Sequence, residues 1–546
     1  MDKILFIVPP NISFNRFVNP SVNERIVHKK YGCFGSVLTD MPLGVLSMSA
    51  YVKKHTAVET KLVDFNIILN KLEGFEYPSF AEFFRDFLSS PECMDYASSI
   101  IGISTLFISA YQNMLDIGKC CQDIFPSAVI VAGGGVPTNM YNEIFRNSTC
   151  FDALCYGEGE KLLLSLVEAN DKLRHLEENP SWITRRKVES GGTFEHNFIE
   201  NLDEIPFYDY GILNTDEYGL NPAITAYASI NEKKQSFHVM TSRGCPYRCC
   251  FCSSHTVHGR KMRYHSINRV REDFKRLRDQ YGAKTLVFQD DHFMANRQRA
   301  LEIIDIVKEL QITPVFQNGL AIYALDRKML ETLKIAGANQ LMLSVESGSN
   351  KVLKEIIHKP FDLSVIKRVS NDCWELGIYT NVNILLGFPH ETKKDIEDTR
   401  AFLKTIKGNW FMIYCANPLV GSEMYDICVK KNYLKDTFIG SDFKNAVIET
   451  EDFTAEYIQE MAYILNIELN FVENSDFRLG NYEMALKGFE NAIRAKNDHA
   501  IAYYYAAKCY EKLDNLEKSQ QYMDTAKIAA ENPFYRKYAN MFNIPI

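Results

Sequence analysis

The chain has 546 residues, of which 46% are hydrophobic and 24% charged. That is too long for one ordinary core, and the composition is that of a globular protein of roughly three domains. Its 61 basic and 69 acidic residues leave a net charge of −8, which argues against a general polyanion binder, so nucleic acid is not an expected partner, although a local basic groove is compatible with this balance. No apolar run approaches bilayer length and the segment MDKILFIVPP lacks a long apolar stretch with a cleavage site. A cytoplasmic protein without membrane contact is expected, its 14 cysteines serving metal or redox chemistry.

Ile4 to Val8 reads as a strand ended by Pro9 and Pro10, and Pro42-Leu43-Gly44 opens a helix reaching about Lys54. Strands follow at Leu62 to Asp64, at Ile100 to Ser104, at Ala128 to Ala132 before Gly133-Gly134-Gly135, and at Ala153 to Tyr156 before Gly157-Glu158-Gly159-Glu160; a helix spans Ala110 to Ile124. Short strands alternating with helices predict an α/β, doubly wound parallel sheet over residues 1–170, with ligands at the carboxyl ends of the strands. No GxGxxG follows the first strand. The triple glycine admits either a tight turn or the close approach of a flat or bulky group. Residues 171–236, charged and aromatic, read as a connection.

The strongest signal is TSRGCPYRCCFCSSH, which follows the apolar stretch Phe237 to Met240 and sets Cys245, Cys249 and Cys252 in a CxxxCxxC spacing. At this cysteine frequency such a triplet arises by chance in about one comparable chain in a hundred. Three thiolates can hold an iron-sulfur cubane with one iron open to a chelating ligand. Zinc is the alternative, with His255 as fourth ligand. Cys250 reads as a packed neighbour.

The CxxxCxFC string resembles the radical S-adenosylmethionine (SAM) enzymes. The resemblance covers residues 237–440: Thr285 to Phe288 ends in Gln289-Asp290-Asp291-His292-Phe293, Gln340 to Val345 in Glu346-Ser347-Gly348-Ser349, Val382 to Leu386 in Gly387-Phe388-Pro389-His390-Glu391-Thr392, and Ile413 to Ala416 precedes Pro418-Leu419-Val420-Gly421-Ser422. Helical segments between these strands predict a partial (β/α) barrel with every motif at its carboxyl edge. The resemblance implies Cys245, Cys249 and Cys252 as ligands of a 4Fe-4S cluster, with SAM on the open iron. Phe251, Gly387 and Phe388 would lie by adenine, Asp290 or the backbone around Gln289 would face the methionine amine, and Glu346 would bond the ribose.

The first domain, with PP, PLG, VDFN, the glycine run and GEGE ahead of such a barrel, resembles the cobalamin-binding subfamily. A cobalamin is then expected on the sheet's carboxyl edge, its nucleotide tail near Thr105, Gly133, Gly134 and Gly135. The DxHxxG string that supplies a lower axial His is absent. Near the C-terminus, Gly480, Tyr482, Ala485, Phe489 and Ala492 are matched 34 residues later by Asp514, Leu516, Ser519, Met523 and Ala526, so residues 441–546 resemble tetratricopeptide repeats docked on the barrel or on a helix near Glu456 to Val472.

The resemblance implies methylation of an unreactive carbon in a small-molecule or peptide substrate: one SAM supplies the methyl group through cobalamin, and another gives a 5′-deoxyadenosyl radical. Ring rearrangement or cyclisation is the alternative within the family. A zinc-stabilised interaction scaffold is the alternative outside it. Methylthiolation of RNA lacks an evident second set of cluster cysteines. A flavodoxin or ferredoxin would supply electrons, and the repeats offer a surface for a protein partner.

Overall fold

The computed structural model describes residues 2–20, 26–219 and 235–546. Residues 220–234, part of the expected connection, lie outside the described residues.

Six strands form the first sheet: β1 (Lys3–Val8), β4 (Glu59–Asp64), β5 (Ile100–Ser104), β6 (Val129–Gly133), β7 (Ala153–Cys155) and β8 (Trp182–Ile183). Their order is β4-β1-β5-β6-β7-β8, parallel throughout except for the antiparallel β8. Ile4 and Phe6 pack with Val45, Val52 and Leu162 on one face, while Leu5 and Ile7 join Met114 and Ile117 on the other. Both faces are therefore buried, which is why these strands read as continuous apolar runs. Helices Leu43–His55 and Glu160–Glu168 cover the first face, and Tyr111–Ile124 the second. The sheet outlasts the expected boundary at residue 170, because β8 is only two residues long and carries no readable period. A hairpin of β2 (Ile26–Lys29) and β3 (Gly32–Gly35) also passes beneath sequence patterning.

The central region holds two parallel three-stranded sheets. One has the order β13 (Thr313–Phe316), β12 (Thr285–Phe288), β9 (Ser236–Val239); the other runs β14 (Gln340–Glu346), β15 (Tyr379–Leu386), β16 (Trp410–Cys415). An isolated parallel bridge between Leu320 and Leu343 links them, so six strands follow one another from β9 to β16. A short antiparallel pair, β10 (Ser242–Arg243) with β11 (Arg263–Tyr264), ties the two ends of the cysteine loop.

In the C-terminal region, helices Tyr482–Ala495 and Leu516–Ala529 begin 34 residues apart, and Gly480 and Asp514 before them share positive φ (83° and 59°). Phe471 couples this region to the central strands, stacking on Phe489 (5.6 Å) and meeting Trp410 edge-on (5.6 Å).

Candidate functional site

Cys245, Cys249 and Cys252 are half-buried on the loop beyond β9 and form no disulfide. Cys250 is buried, its N–H donating to the Ile357 carbonyl (3.2 Å) and its carbonyl accepting from the Met424 N–H (2.8 Å), as suits a packed neighbour. Burial pushes the Cys245 thiol up to about 11 and also raises Cys249 against the pull of Lys359. Among the described residues no three His, Cys, Asp or Glu side chains converge as ligands of one metal ion.

Asp290 holds the root of the loop. Its carboxylate is buried and accepts from the Thr241 N–H (3.1 and 3.2 Å), Thr241 Oγ1 (2.7 Å) and Ser242 Oγ (2.5 Å). Arg299 grips the same residue, donating to Thr241 O (2.7 Å) and Oγ1 (3.2 Å). The expectation that Asp290 faces a methionine amine is thereby corrected: its oxygens are engaged with the loop it anchors. Beside it, the Gln289 N–H donates to the Val239 carbonyl (2.9 Å) and its own carbonyl accepts from Asn318 Nδ2 (3.0 Å). The Gln289 side chain donates to Gln317 Oε1 (2.9 Å), and Gln317 in turn donates to Asp40 Oδ2 (3.1 Å), a residue from the loop before helix Leu43–His55.

Across the mouth, Glu346 closes β14 at φ +65° and accepts from Lys359 Nζ (3.2 Å). The Lys359 ammonium lies 5.7 Å from the Phe251 ring centroid, and Phe251 lies 6.2 Å from Phe388. Burial opposes its charge, but the Glu346 carboxylate wins and raises the Lys359 pKa. Gly387 (φ +91°) and Phe388 donate their N–H groups to Glu391 Oε2 (2.7 and 3.1 Å). A side chain at Gly387 would meet Ile458 of helix Ala455–Ile467 at 3.0 Å, so the C-terminal region backs this turn. Cys249, Phe251, Glu346 and Phe388 thus gather at one end of the central strands, together with Lys359, which no motif flagged.

The glycine run forms the edge of the first sheet. At Gly134 (φ +110°) an added Cβ would run into the Thr105 carbonyl, and one at Gly135 would come within 3.0 Å of Leu106 O. One at Gly133 would come 3.3 Å from Cys155 Cβ. Thr105 Oγ1 is buried without a partner, beside Leu106 and Phe107, which are 61% and 38% exposed. The glycines are required by the close packing of their own turn on Thr105 and Leu106, while the orphaned hydroxyl and the exposed apolar residues at the carboxyl end of β5 fit a large group with both apolar and polar faces.

GEGE turns out to be the join between the two regions. Glu158 receives Arg263 Nη2 (2.6 Å) and Nη1 (2.9 Å) and pairs with Arg243 (3.3 Å); Glu160 receives Arg243 Nη2 (2.6 Å) and Ser47 Oγ (2.5 Å). All four charged groups are buried. Asn139, after the glycine run, adds a bond to Thr256 Oγ1 (2.9 Å) just past the cysteines. Motif reading places GEGE after a strand and among the features resembling the cobalamin-binding subfamily; acidic residues between glycines give no hint of their distant arginines.

Residues 239–403 match the family model described as the radical SAM superfamily. The chain is 26% identical over 474 residues to an uncharacterised methyltransferase of Pyrococcus horikoshii, covering 85% of this chain and 92% of that one. It is 25% identical over 412 residues to the cytidylyl-2-hydroxyethylphosphonate methyltransferase of Streptomyces wedmorensis (69% and 76% covered). Its fold is similar to that of OxsB, a cobalamin-dependent SAM radical enzyme solved with aqua-cobalamin and SAM, with TM-score 0.61 at 15% identity over 100% of this chain and 81% of that one. Among the described residues no helix is long and apolar enough to cross a membrane.

Proposed function

We propose that the chain is a cobalamin-dependent radical SAM enzyme that methylates an unreactive carbon. The observation that carries this reading is the placement of the thiol triplet, Glu346, Phe251 and Phe388 at one end of the central strands, joined through Glu158 and Glu160 to the sheet that bears the glycine edge. In this reading residues 1–170 with β8 form a Rossmann-like cobalamin domain, 237–440 a partial barrel and 441–546 a pair of tetratricopeptide-like repeats.

Each residue is assigned what its surroundings allow. Cys245, Cys249 and Cys252 ligate the cluster; Phe251 and Phe388 flank adenine; Glu346, steadied by Lys359, accepts from the ribose; backbone at Gln289 takes the methionine amine. Thr105 and Gly133 to Gly135 accept the cobalamin tail. Bound there, cluster, SAM and cobalamin supply radical generation and methyl transfer, while the protein orients them and keeps water out.

The test is reconstitution with iron, sulfide and hydroxocobalamin, followed by deuterium-labelled SAM and a reductant such as flavodoxin. Methylation yields labelled product together with S-adenosylhomocysteine and 5′-deoxyadenosine. Substrate turnover with 5′-deoxyadenosine alone favours rearrangement, and colourless protein carrying one zinc removes the enzyme reading.

A further inference from the structure

A cavity of about 400 Å³ opens where the starts of helices Ile267–Tyr281 and Arg297–Glu309 meet β11 and the stretch around Asn201 and Asp203. None of the residues assigned to cluster, SAM or cobalamin lines it. Its floor is His265 and Arg299, 5% and 8% exposed, while Asn296 and Gln298 stand exposed at its rim.

Both floor residues keep a buried polar atom without a hydrogen-bond partner, Nε of Arg299 and Nδ1 of His265. The rest of the guanidinium is engaged. It donates to Thr241 O (2.7 Å), Thr241 Oγ1 (3.2 Å) and His265 O (3.1 Å) and lies 5.0 Å from the Tyr264 ring centroid, which fixes the group and leaves Nε as its unmade donor. A buried charged donor left unmade is costly, and packing alone gives no reason for it. The two helix starts differ as well. Asp203 Oδ1 takes the Ser266 N–H (2.9 Å) ahead of the first; at the second, Asn296 Oδ1 takes the Arg299 N–H (3.1 Å), and the N–H groups of Arg297 and Gln298 have no intrahelical acceptor. That end therefore carries partial positive charge beside Arg299.

The same cavity holds two carboxylates. Asp203 Oδ1 lies 3.4 Å from His265 Nδ1, an imidazole that burial holds well below its ordinary pKa and so leaves neutral; Glu302 accepts from Gln298 Nε2 (3.0 Å). Among the described residues neither carboxylate pairs with a Lys or Arg side chain.

We propose that this cavity binds a small zwitterion of the α-amino acid kind, its carboxylate on Arg299 and the start of helix Arg297–Glu309 and its ammonium on Asp203 and Glu302. A simple anion meets the two acids and a simple cation meets the guanidinium, so only a ligand carrying both charges gains at both ends. The site also touches the cysteine loop. Arg299 holds Thr241, whose hydroxyl and N–H are bonded to Asp290 at the root of that loop, so an occupant that fixes Arg299 steadies the same root.

The experiment uses oxidised holoenzyme saturated with SAM, which keeps an added amino acid off the open iron. Melting temperature is followed as methionine is titrated into wild type and Glu302→Gln, with acetate, ethylamine and inorganic phosphate as single-charge controls, and hydrogen exchange locates the contact. The expected result is a rise in melting temperature with methionine alone and slowed exchange at residues 296–302. Glu302→Gln should melt as wild type does without ligand and bind methionine about tenfold more weakly, the size of one lost hydrogen bond to a charged group. Three results overturn the proposal: no shift in wild type, an equal shift in Glu302→Gln, or a shift with phosphate or acetate as large as with methionine, which makes the cavity an anion site. Protein that takes up neither cluster nor SAM overturns the enzyme reading instead, and the same titration without SAM then tests the cavity by itself.

Discussion

Arg243 and Glu160 meet at 2.6 Å, both buried, one residue before the glycine that precedes Cys245 and at the first helical turn beyond β7. The pair joins the root of the cysteine loop directly to the first sheet, and Glu158 with Arg263 doubles the connection. A buried ion pair is costly to form and costlier to break, because the surviving charge is left without water or partner. Glu160→Gln or Arg243→Met is therefore expected to destabilise the protein by about 3–5 kcal/mol, read by denaturant unfolding, and to lower iron incorporation on reconstitution. Unchanged stability in both would refute the lock.

The cluster assignment separates adjacent cysteines. Cys245→Ala, Cys249→Ala and Cys252→Ala should each lose most bound iron and sulfide and the associated visible absorption. Cys250→Ala, at a buried side chain tied by its backbone to Ile357 and Met424, should keep the cluster and lose only about 1 kcal/mol from a small cavity. Loss of iron in the Cys250 variant would move the ligand set.

Burial pushes Glu391 up to about 7, against the two backbone N–H groups that favour its charge. A folded-state pKa above the unfolded value means the neutral acid is the better-tolerated form. Its contribution to stability is complete below about 4.5 and is lost as pH rises through about 7, a change of about 3 kcal/mol by linkage. Glu391→Gln keeps an acceptor for Gly387 and Phe388 without a titrating proton. The difference in unfolding free energy between wild type and this variant should grow from pH 5 to pH 8; a difference independent of pH would refute the assignment.

Lys359 is the cation beside Glu346 and the Phe251 ring. Lys359→Met leaves that carboxylate unpaired in a buried mouth, and SAM affinity measured on the reconstituted protein should fall about tenfold, or about 1.4 kcal/mol. Lys359→Arg should recover part of it. Equal affinity in the Met variant would exclude Lys359 from the site.

Gly134→Ala places a methyl group against the Thr105 carbonyl at a φ that side chains rarely adopt. The cost is about 1–3 kcal/mol, and hydroxocobalamin binding should be lost while the cluster loads normally. Normal corrin uptake would place it elsewhere.

Much of this protein is legible in order along the chain. The strands at Ile100–Ser104 and Thr285–Phe288 and the helix at Tyr111–Ile124 coincide, to within a residue, with their apolar patterning. β13 (Thr313–Phe316) escaped notice, since four residues interrupted by Pro314 give too short a period. The cysteine spacing needs no tertiary information either: three thiols within eight residues must share a loop wherever it folds.

What the fold alone decided is which distant groups answer each motif. Asp290 reads as a site acid, but Thr241 and Ser242 saturate it; Glu158 and Glu160 read as turn residues, but Arg243 and Arg263 make them a domain lock; Lys359 carries no motif and still reaches Glu346. The physical reason is common to all three. Local patterning records how a segment buries its own backbone and apolar face. The worth of a charge depends on which partners and how much water the rest of the chain brings within about 3 Å of it.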